Sequence, residues 1–276
     1  MLQQTQTFRV VDALPRFLAS FPDPAACAGA STAEVIRAWR GLGYNSRAVR
    51  LQKCAGEIVE RFAGVVPDRF EDLHALPGIG RYTAGAVLCF AFGREVPLVE
   101  VNVVRVLSRL FFGLYDRDDR LPERTIEELT SRLMPNGRAA DWNQGLMDLG
   151  ATVCSASLPD CPSCPLRTVC HSAGRVGEFE LFHPVRHTRR REPRLLGRPV
   201  RLWRGMVVER LRNEPDGIVL ATLVDILLGT SSDDPEARSS LIEVVRRLGS
   251  EGMLVASGVV GEGLQLEKHN RVELPG

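Results

Sequence analysis

Along most of the chain, apolar residues recur at three- and four-residue intervals, the period of helices packed on one face. Phe8, Val10, Val11, Leu14, Phe17 and Leu18 carry this spacing and predict a helix over 8–21, interrupted at Pro15. Ser31-Thr32-Ala33-Glu34 is a capping box ahead of Val35, Ile36 and Trp39, so Glu34 reads as a helix cap and not as a catalytic acid. Further helices are expected over 45–62, from Phe70 to the glycines that follow Leu76, and over 81–92, 101–112, 122–133 and 141–153. Nothing before residue 197 reads as a strand. From Gly174 to about Gly197 the periodicity weakens in a stretch containing proline and arginine. Beyond it, 199–213, 219–228 and 236–250 read as three helices, and Met253–Ser257 and Leu264–Val272 as the arms of a hairpin around Gly-rich residues. The expected fold class is therefore mainly α, followed by a small winged-helix-like α+β domain. The expected segments are 1–173, a basic linker 174–197, and 198–276.

Composition bounds this picture without changing it. At 276 residues, 44% hydrophobic and 25% charged, the chain is globular and long enough for two modest domains. It contains no run of about 18 apolar residues and no secretory pattern, which points to a cytoplasmic protein without a membrane partner. A net charge of +1 does not announce nucleic acid. The charge is unevenly placed, however: Arg186, Arg189, Arg190, Arg191, Arg194, Arg198, Arg201 and Arg204 stand against a single acid, Glu192. Such a stretch suits a phosphate backbone or a merely solvated linker. Seven cysteines without a secretory signal argue for a reducing compartment, and Cys27, Cys54 and Cys89 sit among apolar residues as core.

Two motifs carry candidate chemistry. In Leu76-Pro77-Gly78-Ile79-Gly80-Arg81-Tyr82-Thr83, running on to Val87, two glycines open directly into an apolar helix. Positive φ at Gly78 and Gly80 would let consecutive amides point outward at a helix start, a seat for a phosphate; an ordinary Gly-rich turn is the alternative. The second motif is Cys154-x6-Cys161-x2-Cys164-x5-Cys170, directly after a helix. Four thiolates suit a [4Fe-4S] cluster or a structural zinc ion.

The order of these motifs, with Val99-Glu100-Val101-Asn102-Val103-Val104-Arg105-Val106 between them, resembles the helix-hairpin-helix DNA glycosylases that carry an iron-sulfur cluster. Met1-Leu2-Gln3-Gln4-Thr5-Gln6 and Gly41-Leu42-Gly43-Tyr44 resemble, within that superfamily, the A/G-specific adenine DNA glycosylases. The resemblance covers roughly residues 1–171. It implies a [4Fe-4S] cluster on Cys154, Cys161, Cys164 and Cys170. It implies that Leu2, Gln3 and Gln4 enter the duplex beside a flipped base, and that Leu42 and Tyr44 wedge and stack beside the opposite base, 8-oxoguanine or guanine. The plainer reading of Leu42 and Tyr44 is a hydrophobic staple and an aromatic packed at a helix start.

Tyr82 occupies the position at which endonuclease III has a lysine. A phenol cannot form the Schiff base that leads to strand cleavage, so the resemblance implies base release without efficient lyase activity, with Tyr82 able to hydrogen-bond the catalytic carboxylate. That carboxylate falls on Glu100, where the family has aspartate, and Asn102 matches the neighbouring helix-start position. Gly78 and Gly80 match the DNA-binding hairpin. The family's general acid is a glutamate two residues before the position of Met1; a start at an internal methionine and a chain that has lost its acid both account for this. The implied function is hydrolysis of the N-glycosidic bond of adenine mispaired with 8-oxoguanine or guanine, by a monomer acting on double-stranded DNA in the nucleoid. A thymine or uracil mismatch glycosylase, a catalytically impaired DNA-binding relative, and a winged-helix transcription factor remain as alternatives. The tail does not resemble the Nudix-like domain that recognises 8-oxoguanine in longer members; similar short tails occur in actinobacterial-type adenine glycosylases.

Overall fold

The computed structural model describes residues 1–113, 121–173, 192–256 and 270–276. The helices run in the order α1 (Thr7–Ser20), α2 (Pro24–Gly29), α3 (Thr32–Ala38), α4 (Ser46–Phe62), α5 (Phe70–Ala75), α6 (Arg81–Phe92), α7 (Val101–Phe112), α8 (Glu123–Leu133), α9 (Ala139–Thr152), α10 (Val200–Arg212), α11 (Leu220–Leu228) and α12 (Pro235–Ser250). The strands are short: β1 (Arg194–Leu195), β2 (Arg198–Pro199), β3 (Ile218–Val219), β4 (Val255–Ala256) and β5 (Arg271–Glu273). Among the described residues no helix is long and apolar enough to cross a membrane.

The residues fall into two compact units that cut across the segments expected from sequence. One unit comprises residues 1–66, 76–78 and 190–276, the other 67–75 and 79–189.

In the first unit, α1 to α4 and the C-terminal helices share one apolar core, with Phe17, Ile36 and Trp39 in the same cluster as Trp203, Leu211, Leu223 and Leu241. Helix α1 continues through Pro15, against the expected interruption. Pro15 lies on the exposed side, where a lost backbone bond is replaced by water. The opposite face packs Val10, Ala13 and Phe17, the last stacked edge-on against Trp39 at 5.9 Å. Helix α2 was not anticipated, although Asp23-Pro24 carries its start: the Asp23 carboxylate accepts from Ala26 N at 2.8 Å and proline stands at the first helical position. The capping box of α3 forms as read, Glu34 accepting from Ser31 N at 2.7 Å.

The order α10–β3–α11–α12–β4–β5, with β5 central in an antiparallel sheet β3-β5-β4, is that of a winged helix. Pairing is Ile218↔Val272 and Val255↔Glu273. The expected hairpin is thus joined by a third strand, β3, too short to show alternation. A second correction lies before residue 197, where β1 pairs with β2. Leu196 (φ 47°) and Gly197 (φ 73°) both take positive φ, as a tight two-residue hairpin turn requires. Residues 174–191, with Arg175, Arg186, Arg189, Arg190 and Arg191, and residues 257–269, with most of the second expected hairpin arm, lie outside the described residues.

In the second unit, α7 packs against α8 and α9. Val103, Val106, Leu107 and Leu110 pack with Ile126 of α8 and Leu146 of α9. Cys27, Cys54 and Cys89 are all buried, as expected for core residues.

Candidate active site

In the first unit two turns lie side by side: residues 1–6 and residues 41–44. Leu2 and Tyr44 stand out into solvent, 61% and 53% exposed, whereas Leu42 is 2% exposed. Leu42 therefore sits with the core and not among the protruding side chains, because its neighbours Trp39 and Val49 belong to the same apolar cluster. What holds the two turns together is Arg47, on the first turn of α4, which the sequence reading missed. Its guanidinium donates to the carbonyls of Met1 (2.8 Å), Gln3, Leu42 (2.8 Å) and Gly43 (3.1 Å) and to Thr5 Oγ1 (2.6 Å). It also lies 5.3 Å from the ring of Trp39 and 5.8 Å from that of Tyr44. Nothing local in Ser46-Arg47-Ala48-Val49-Arg50 separates Arg47 from Arg50 on the next turn, so no sequence signal pointed to it.

Gln3 Nε2 donates to Gly78 O at 3.4 Å. Gln4 adopts a left-handed backbone, φ 56°. Gly78 has φ 82°, so glycine is required there; a Cβ would also come to 3.3 Å from Arg50 Cβ. A cavity of about 470 Å³ opens beside these turns, bounded by Gln4, Thr5, Tyr44, Asn45, Arg201 and Arg204.

In the second unit, Gly80 is the N-cap of α6, with φ −84° and open space where a Cβ would stand. The expectation of positive φ thus holds for Gly78 and fails for Gly80. Having no side chain, Gly80 places no cap over the start of α6. Tyr82, 42% exposed on that first turn, donates its O–H to Met147 Sδ at 3.2 Å, not to the carboxylate as expected. Burial, reinforced by the charge of Glu100, raises its pKa, so the phenol stays neutral well above pH 7.

Glu100 is the N-cap of α7. Its Oε1 accepts from Asn102 N at 2.8 Å and Val103 N at 3.1 Å, and its Oε2 from Asn102 Nδ2 at 3.2 Å. These donors fix the carboxylate, which remains partly exposed, in a single orientation. Asn102 is fixed in turn, its Oδ1 accepting from Arg105 at 2.7 Å. Its amide thus serves the carboxylate. Arg105 also donates to Gly150 O (2.7 Å) and Cys154 O (2.9 Å). At Gly150 helix α9 approaches α7 so closely that a Cβ would lie 2.6 Å from Asn102 Cβ. The extended stretch leading to Glu100 is anchored by the buried Asn143 of α9, which accepts from Leu98 N (3.0 Å) and donates to Val96 O (2.8 Å). Asn143, Arg105 and Gly150 were not singled out from sequence; a glycine inside a helix was the one available sign.

The four motif cysteines are half-buried in one loop that packs on α7 and α9 through Cys154, Leu166 and Cys170. Arg109 of α7, 3% exposed, donates to Cys154 Sγ (3.4 Å), Ser155 O (2.7 Å) and Ala156 O (3.0 Å). Burial raises the Cys161 thiol, and Cys154, Cys170 and Cys164 each raise it further, so the four sulfurs are electrostatic neighbours. Among the described residues no three His, Cys, Asp or Glu side chains are drawn into a ready metal site. The donor set, four thiols on one loop beside a cationic guanidinium, fits a group that takes thiolates.

Residues 1–132 match the family model of the HhH-GPD superfamily of base excision DNA repair proteins. An adenine DNA glycosylase of Mycobacterium tuberculosis (strain CDC 1551 / Oshkosh) is 45% identical over 166 residues, 60% of this chain and 55% of that protein, so the chain spans about half the length of this relative. An adenine DNA glycosylase of Mycolicibacterium smegmatis is 38% identical over 242 residues, 88% of this chain and 79% of that protein. Among solved structures, a thermostable thymine-DNA glycosylase superposes with a TM-score of 0.58 at 30% identity, covering 63% of this chain and 80% of that one. With the second relative matched over most of both lengths, this chain belongs to the adenine DNA glycosylase family within the HhH-GPD superfamily of base excision DNA repair proteins.

Proposed function

We propose that the protein releases adenine mispaired with 8-oxoguanine or guanine in double-stranded DNA, by hydrolysis and without an efficient lyase step. The observation that carries this reading is the carboxylate of Glu100, partly exposed, held by three donors and in the electrostatic reach of the phenol of Tyr82. A departing base leaves positive charge on the sugar, and a carboxylate fixed beforehand stabilises that charge without reorganising. Tyr82 has no amine to trap the sugar, so water completes the reaction.

Leu2, with the amides of Gln3 and Gln4, is the wedge that fills the vacated stack, and Tyr44 stacks beside the opposite base. The neighbouring cavity, with arginines and amides around it, suits the nucleotide of that base. Leu42 supports the turn from the core. Gly78 and Gly80 let the duplex backbone approach the start of α6. Cys154, Cys161, Cys164 and Cys170 would hold a [4Fe-4S] cluster, which when bound ties their loop together and takes no part in the excision step.

The likeness to a thymine-DNA glycosylase supports one second reading, release of thymine from a mismatch. Single-turnover assays separate the two, using duplexes with adenine opposite 8-oxoguanine or thymine opposite guanine. They are run with this chain and with the chain extended upstream to carry a glutamate two residues before Met1. Adenine release by either form supports the proposal; release of thymine alone replaces it with the second reading.

A further inference from the structure

We propose that the winged-helix module sets the conformation of the Gly41–Tyr44 turn through Arg212, making Arg212 a positioning residue for recognition of the opposite base. The inference rests on the reading of Tyr44 as the residue that meets that base.

The turn is strained on its own terms. Gly41, Gly43 and Tyr44 have φ of 88°, 68° and 46°, and for tyrosine this left-handed backbone is strained, because its Cβ crowds the following carbonyl. Such a conformation persists where the surroundings over-determine it. Both residues flanking the turn are gripped from α10. On one side, Arg40 pairs with Glu209 and donates to Asn213 Oδ1 at 3.0 Å. On the other, Asn45 Oδ1 accepts from Arg212 at 2.8 Å. Asn45 stands at the N-cap of α4, where its side chain would ordinarily bond the helix amides; it makes no such bond and is turned to Arg212.

Arg212 is the centre of this grip. Its side chain is 7% exposed, and it also donates to Glu209 Oε2 at 2.7 Å and to Ile36 O at 3.2 Å, near the end of α3. The start of α3 is held by the same module, Ala33 N donating to Pro275 O at 2.7 Å. The helix that leads into the turn is thus clamped at both ends, and Trp39 beyond it donates to Gly43 O at 3.1 Å. Arg47 secures the turn from α4, Arg212 from α10. Arg212 has no part in the wedge or the excision residues.

The test is equilibrium binding by the full chain to a duplex with adenine opposite 8-oxoguanine and to the same duplex fully paired. Every form carries Glu100→Gln, which slows base release on the order of 10²–10³-fold so that binding is read before excision. Arg212→Met is expected to lower the preference for the mispaired duplex on the order of tenfold, within the range of coupled neighbours. Arg212→Lys should restore part of it, and affinity for paired duplex should be unchanged. In a Tyr44→Ala background Arg212→Met should have no further effect, because it acts through Tyr44; a purely structural role would add to the loss. If Arg212→Met unfolds the chain, Asn45→Ala removes the same bond from the other side. An unchanged preference in both variants, or equal losses with and without Tyr44, overturns the proposal. An unchanged preference in Tyr44→Ala alone instead overturns the reading of Tyr44, and the proposal with it.

Discussion

Glu100 does two things with one carboxylate: it caps α7 and it presents a fixed charge at a partly exposed position. Glutamine in its place keeps the shape and an acceptor for the helix amides but removes the charge. Glu100→Gln should lower single-turnover adenine release on the order of 10²–10³-fold while mispaired duplex is still bound, the scale of losing one preorganised electrostatic partner. The two glycines separate backbone need from ligand approach. Gly78→Ala meets a left-handed φ and should lower thermal stability by about 1–2 kcal/mol. Gly80→Ala meets neither strain nor a neighbour, so its melting temperature should stay put while affinity for paired and mispaired duplex falls together. Unchanged binding by Gly80→Ala would refute the phosphate seat. Glu100 and Tyr82 were legible because their motifs are local. Arg47, Arg105 and Gly150 were not, because their partners lie up to 49 residues away in sequence.

At the scale of elements, the helices were readable because their apolar faces repeat over several turns: α6 and α7 fall where periodicity put them, over 81–92 and 101–112. The strands β1 and β3 were not, since two residues cannot display alternation; tertiary pairing makes them. The cysteine loop is an element held by α7 and α9 and, on the proposed function, by its cluster. Cys164→Ser should cost the purified protein its brown colour and bound iron, measured by absorbance and metal analysis. Full iron content in that variant would refute the ligand assignment. Because Cys154 and Cys170 also pack on α7, loss of the cluster should loosen the Arg109 contacts before it touches α6.

At the scale of the molecule, the first unit joins the two ends of the chain in a single core, and the polar link across it titrates. Burial works against the charge of Glu209, but hydrogen bonds from Arg40 and Arg212 outweigh it and hold its carboxyl below the usual range. A carboxyl with a lowered folded-state pKa stabilises the fold at every pH above its unfolded value, and that contribution is lost as pH falls through the lowered one. The melting temperature of Glu209→Gln should therefore lie below that of the parent at neutral pH, and the two should converge in acid. A constant difference down to the lowest pH would mean that the pairing contributes nothing. Because Glu209 is half exposed, added salt should shrink the difference as well.

The sequence by itself determined the mainly helical class, the capping box, the phosphate-seat motif, the cysteine spacing and the absence of an amine at position 82. Each of these is written in residues close together in the chain, where helix periodicity, backbone freedom and ligand spacing are local constraints. Only the tertiary structure decided that Leu42 belongs to the core, that Arg47 ties residues 1–5 to the 41–44 turn, and that α10 grips both flanks of that turn. It also decided that the described residues of the C-terminal part, 192–256 and 270–276, fold into the same unit as residues 1–66. These outcomes turn on which apolar faces meet and which buried polar groups find partners, and such pairings between distant residues leave no pattern in the local order of the chain.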